Sequence, residues 1–357
     1  MRTMRALRLN AWKSDAVLEE VPRPTPSPGE VVLQVGGAGA CHSDLHLMRD
    51  FDTGALPWAP PFTLGHENAG WVAEVGEGVS GFEPGDAVAV VGAWGCGRCS
   101  HCRSGWETYC EDPASAPVAG GGGGLGLDGG MADYMLVPDA RFLVPLPEGL
   151  APSAAAPLTD AALTPYHAVR RSLSKLLPGS TAVVIGVGGL GHLAVQILSA
   201  VTAARIVAVD PKEEALQLAK AGGADVVLTP GPDAVEHVRA ATSGRGADVV
   251  LDMVGTDDTL AFGARCARQM GDLTIVGLGA GTLPVSFFGF PYECSVQTTY
   301  WGNRFELVEV LDLAARGLIR ADVTTFGLDD AAAAYAALAR GVIPGRAVVV
   351  PTSEYVP

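Results

Sequence analysis

The stretch TAVVIGVGGLGHLAVQIL, residues 181–198, changes periodicity at its centre. Val183, Val184 and Ile185 form a short β-branched run that stops at Gly186, as a buried strand does. Leu190, Leu193, Ala194, Ile197 and Leu198 follow at helical spacing. Gly186, Gly188 and Gly191 therefore fit G-x-G-x-x-G at a strand-to-helix turn, with Gly189 and Leu190 inside the loop. The first glycine permits the tight turn, and the second lets backbone approach a pyrophosphate. The third lets helix and strand pack closely, while the helix N-terminus offers free N–H groups to an anion. Asp210 stands 19 residues after Gly191, at the end of the next apolar run, where a carboxylate takes ribose hydroxyls. Residues 176–204 carry no charged side chain, which also suits a membrane span. Pro178, Gln196 and the glycines interrupt that run, and the strand and helix patterns divide it.

Outward from this turn, the rhythm of strand then helix continues. Strands are expected at 181–185, 205–209, 225–228, 248–253 and 272–276, with a sixth at 294–300. Such alternation predicts a parallel sheet with helices on both faces. Helices are expected at 306–315 and 329–340, and a last strand at 346–350. The N-terminal part differs. Residues 4–10, 16–21, 30–35, 70–75, 86–91 and 131–137 are short alternating or β-branched runs, predicting an antiparallel β region. Residues 37–50 are expected to leave that sheet, and the glycine run 120–124 to form a mobile surface loop.

The chain is 357 residues long, 48% apolar and 18% charged, enough for two domains with large cores. A net charge of −15 argues against nucleic acid and anionic membrane surfaces as partners. The first ten residues are basic without an apolar h-region, so no signal peptide and a cytoplasmic location are expected. In a reducing compartment, seven cysteines point to metal or catalysis before disulfides.

Four of them, Cys96, Cys99, Cys102 and Cys110, are spaced C-x2-C-x2-C-x7-C among the turn glycines Gly95, Gly97 and Gly105. Four converging thiolates with no open position describe a structural, tetrahedral zinc site. The bacterial iron–sulfur run has a shorter last spacing and a following proline; here Glu111 follows. Cys41, His66 and Asp160 are too far apart for a spacing rule. Taken singly, they read better as a buried thiol, a core histidine and a helix cap.

What joins them is a resemblance. GACHSD (39–44), GHE (65–67), the four-cysteine lobe, PLTDA (157–161), LTPYH (163–167), the glycine loop, TYWG (299–302) and Gly345-Arg346 occur in order along nearly the whole chain. Together they resemble the zinc-dependent medium-chain alcohol dehydrogenases, in particular the bacterial NAD-dependent secondary-alcohol dehydrogenases and phenylacetaldehyde reductases. The resemblance implies an α/β protein in two domains: a β-rich GroES-like catalytic domain (1–160 and 301–357) and a Rossmann NAD-binding domain (161–300). It implies two zinc ions per chain, a homodimer or homotetramer, and an alcohol, aldehyde or ketone as substrate.

Residue by residue, it implies that Cys41, His66 and Asp160 hold a catalytic zinc with one position open. Liver-type members carry a cysteine where this chain has Asp160. Glu67 and Asp44 would stand behind the ligands, Asp44 orienting His66 through its other ring nitrogen. Ser43 and His46 would relay the proton released by the acidified alcohol. His42 and Arg346 would face the pyrophosphate, with Lys212 beside Asp210. Trp58, Phe287, Tyr300 and Trp301 are candidate walls of an apolar substrate pocket. A polyol dehydrogenase of the same family, or a non-catalytic zinc-stapled nucleotide-binding protein, are the alternatives; the latter would lack an open-site ligand, and all three are present.

Overall fold

The computed structural model describes residues 2–356. Two compact units divide it. One comprises residues 1–163, 301–315 and 322–357, and the other residues 164–300 and 316–321.

The second unit holds the parallel sheet. Its strands lie in the order Val226–Leu228, Arg205–Val209, Thr181–Ile185, Ala247–Asp252, Ala267–Ile275, Ser295–Thr298, and every neighbouring pair is parallel. Val183, Val207, Val250 and Leu273 sit side by side in its core, none more than 1% exposed. All six expected strands are present, with the ends shifted by a few residues. The helix Gly191–Val201 follows the glycine loop and buries Leu193, Ala194, Ile197 and Leu198, the apolar positions its spacing predicted.

In the first unit, a largely antiparallel sheet orders Leu143–Pro145, Ala87–Val90, Glu67–Val75, Val31–Ala40, Arg346–Val349 and Val323–Phe326. Tyr134–Val137 pairs with the first half of Val31–Ala40. A smaller sheet joins Val17–Pro22, Thr3–Leu9 and Phe62–Thr63. No helix among the described residues is long and apolar enough to cross a membrane.

Two expectations need correction here. Residues 37–40 do not leave the sheet; the strand runs on to Ala40, and the helix His42–Arg49 starts directly after Cys41. Glycines make this possible. A Cβ on Gly37 would lie 2.8 Å from Ser153 Cα, and one on Gly39 would lie 1.9 Å from the Glu67 carboxylate. Nor is the glycine run a surface loop: residues 121–124 are buried. A Cβ on Gly122 would stand 1.9 Å from the Gly92 carbonyl oxygen, and one on Gly124 2.4 Å from that of Gly65. These glycines are where neighbouring backbone packs, so their lack of side chains reflects crowding and not solvent.

Candidate active site and metal centres

The register of the β-rich sheet assembles the first site. Gly39 pairs with Glu67 and Ala40 with Ala347, both antiparallel. Cys41, one step beyond Ala40, is thereby brought beside His66 and Arg346, each one step before its paired residue. Asp160 arrives from the turn that follows Ala156–Thr159. The indole N–H of Trp301 fixes that turn by donating to the Thr159 carbonyl (3.0 Å), and its ring meets His66 edge-to-face at 5.8 Å.

One ligand atom from each of Cys41, His66, Glu67 and Asp160 lies within 4.8 Å of the other three. His66 Nε2 faces Asp160 Oδ2 at 3.4 Å and Ser43 Oγ at 3.3 Å. Its Nδ1 lies 3.0 Å from Asp44 Oδ1, and an ionised carboxylate only accepts. Nδ1 therefore carries a proton, and Nε2 is the ring nitrogen that faces the cluster. Glu67 is fully buried, and both its carboxylate oxygens accept from the Arg346 guanidinium. With those bonds made, Cys41, His66 and Asp160 remain as the candidate ligand set, with the Glu67–Arg346 pair beside it.

The electrostatics favour a cation. Burial pushes the Cys41 thiol up, but Arg346 and His66 outweigh it and bring it down to about 7. Burial likewise opposes a proton on His66, yet Asp44 and Asp160 hold its proton affinity well above the ordinary range. A buried thiolate and imidazole beside the partly buried Asp160 carboxylate fit zinc, and three protein ligands leave the open fourth position of a catalytic site.

The four-cysteine lobe forms the second centre. The sulfurs of Cys96, Cys99, Cys102 and Cys110 lie within 4.8 Å of one another. Backbone N–H groups point at them: Cys102 and Glu111 donate to Cys99 Sγ, and Cys96 donates to Cys110 Sγ. Those donations from Cys102 and Glu111 bring the Cys99 thiol down to about 6. Burial pushes the Cys102 and Cys110 thiols up, and the four converging sulfurs form the closed set that structural zinc requires.

In the parallel-sheet unit, the three glycines differ in what surrounds them. Gly186 has φ +84°, which a side chain rarely adopts. A Cβ on Gly191 would lie 1.9 Å from the Gly186 carbonyl, whereas one on Gly188 would meet nothing within 4 Å. Gly188 thus leaves open space on the loop. Asp210 accepts from the Val187 N–H (2.7 Å) and the Lys212 N–H (2.9 Å), one on each oxygen. That orients the carboxylate beside the glycine loop.

His42 is exposed at the first turn of its helix. His46 pairs with Asp50 on the same helix. Arg346, expected at a pyrophosphate, is 2% exposed and paired with Glu67. The four aromatic residues divide between the two units, Trp58 and Trp301 in the first and Phe287 and Tyr300 in the second. Trp58 packs with Trp12 and Phe62, and Trp301 is buried against His66. Phe287 is 73% exposed beside Phe288 and Tyr292, and Tyr300 is 44% exposed. Tyr335 was missed: its hydroxyl donates to Asp44 Oδ2 at 2.8 Å, from 291 residues away.

A nucleotide-binding parallel sheet combined with a β-rich unit bearing one closed and one open metal centre defines a zinc-binding oxidoreductase. The alcohol dehydrogenase GroES-like domain family matches residues 27–148, and the zinc-binding dehydrogenase family residues 189–316. An NAD-dependent alcohol dehydrogenase of Sulfurisphaera tokodaii is 37% identical over 367 aligned positions, 98% of this chain and 100% of that protein. The crystal structure of the alcohol dehydrogenase of Aeropyrum pernix superposes with a TM-score of 0.89 at 37% identity, covering 97% of this chain and 100% of that one. The D-arabinose dehydrogenase of Sulfolobus solfataricus superposes at 0.84 with 29% identity, covering 98% and 100%. The chain belongs to the zinc-dependent medium-chain alcohol dehydrogenase family.

Proposed function

We propose that this chain reversibly oxidises primary or secondary alcohols to aldehydes or ketones with NAD, using zinc held by Cys41, His66 and Asp160. The convergence of those three donors, two of them buried, carries the reading. Zinc bound there supplies the Lewis acidity that polarises a substrate oxygen and eases loss of its proton, and NAD supplies the hydride acceptor. The chain's own residues do the rest. Asp44 keeps the His66 proton on Nδ1, so Nε2 stays available as a ligand. Ser43 Oγ, beside Nε2, is suited to take the substrate's hydroxyl proton, and His46, half-exposed and paired with Asp50, to pass it to water. Asp210 takes the adenosine ribose hydroxyls and repels a 2′-phosphate.

Residues 1–160 and 301–357 serve as the catalytic domain and 161–300 as the cofactor domain in this reading. A homodimer or homotetramer is supported by the exposed Val285, Phe287 and Phe288, close in sequence to the edge strand Ser295–Thr298. Seven free thiols suit the cytoplasm, and the acidic surface disfavours nucleic acid and membrane partners. The likeness to a D-arabinose dehydrogenase supports a second reading, a sugar or polyol as substrate. A panel of simple alcohols, polyols and aldoses with NAD, followed by absorbance of the reduced cofactor, separates the two. Turnover of primary or secondary alcohols supports the first reading, and turnover confined to sugars replaces it with the second.

A further inference from the structure

Tyr335 lies on the helix Ala331–Ala339, whose sequence AAAAYAALA contains no other polar side chain. That helix packs against His42–Arg49, the helix carrying Ser43 and Asp44. Tyr335 is 4% exposed and Asp44 fully buried, so no solvent competes for either. Three donors meet the Asp44 carboxylate. The Cys41 N–H reaches Oδ2 at 3.0 Å, the Tyr335 hydroxyl reaches the same oxygen at 2.8 Å, and His66 Nδ1 lies 3.0 Å from Oδ1.

We infer that Tyr335 is a positioning residue for the open metal centre, locking through its hydroxyl the carboxylate that orients His66. The inference rests on the reading that Cys41, His66 and Asp160 hold zinc. A ligating histidine is aimed by the partner of its other ring nitrogen, and that partner must itself be held. Besides His66 itself, the Cys41 amide alone would give the Asp44 carboxylate a single anchor. The hydroxyl supplies a second bond on Oδ2, from an element far away in the chain. Burial and the charge of Asp44 push the phenol well above its ordinary range, so it remains a donor at any working pH. Phenylalanine would fill the same space but leave Oδ2 short of a partner with no water to replace it.

Tyr335→Phe therefore removes one hydrogen bond and almost no volume. The test titrates the purified holoenzyme with a chromophoric chelator and follows release of both zinc ions, the four-cysteine centre serving as reference within each molecule. Tyr335→Phe is expected to weaken one zinc about 10-fold, the lower end of the effect of such outer partners. It should be the same ion that Asp160→Asn weakens, and the four-cysteine zinc and Tm should stay close to wild type. In an Asp44→Asn background, adding Tyr335→Phe should change little, because the group it holds is already altered. With cobalt in the open centre, the visible spectrum should shift in Tyr335→Phe. Wild-type zinc affinity in Tyr335→Phe overturns the inference, as does equal weakening of both centres, which would mark a general loss of stability. A wild-type chain with zinc only at the four cysteines overturns the ligand reading, and the inference with it.

Discussion

Asp160 and Asp210 are both carboxylates at the end of a buried run, and their surroundings give them different tasks. Asp160 faces His66 Nε2 inside a cluster that also contains a thiol. Asp160→Asn removes one anionic ligand and little volume, so zinc affinity at that centre should fall by more than about 10-fold while the fold persists. Metal content and circular dichroism check this, and wild-type turnover with full occupancy would refute the ligand assignment. Asp210 instead accepts two backbone N–H groups and lies beside the glycine loop. A like charge at the ribose costs an NADP complex several kcal/mol, so Asp210→Gly should narrow the preference for NAD by about tenfold or more. Steady-state comparison of the two cofactors reads it. Equal efficiency with both in the unmodified enzyme would contradict the assignment.

The glycine loop and the buried glycine run are elements in which a single added methyl group separates fold from function. Gly188→Ala adds a Cβ where no protein atom lies within 4 Å. It should keep the wild-type Tm and raise KM for NAD, because the methyl occupies the side open to phosphate. Gly191→Ala places its Cβ 1.9 Å from the Gly186 carbonyl oxygen, and Gly122→Ala places one equally close to that of Gly92. Both clashes are with backbone, so each should cost about 1–3 kcal/mol of stability, seen in thermal unfolding. The comparison also shows what was legible. Glycines at G-x-G-x-x-G spacing, between a β-branched run and a helical one, declare their turn locally. Five consecutive glycines carry no spacing that distinguishes an open loop from a crowded one. The approach of Gly65, Gly92, Leu125 and Met135 makes residues 121–124 a packing site.

At the scale of the molecule, the two metal centres were legible to different degrees. The four cysteines lie within fifteen residues, so their spacing alone brings the sulfurs together. Cys41, His66 and Asp160 depend on strand register, which local patterns do not encode, and were joined only by resemblance to a known family. Tyr335 reaches the same centre from 291 residues away and leaves no local trace: a tyrosine in an alanine-rich helix looks like ordinary core. The centres should also fail differently. Cys99→Ser should lower Tm by loosening the 96–110 lobe, without altering the cofactor preference. The most direct test of the account is the rate of reduced-cofactor formation from NAD and an alcohol, measured before and after stripping only the zinc at Cys41, His66 and Asp160, and again after adding zinc back. Loss of at least about 100-fold in rate, restored by zinc, is the predicted result; undiminished turnover with that centre empty and the four-cysteine centre full would contradict it.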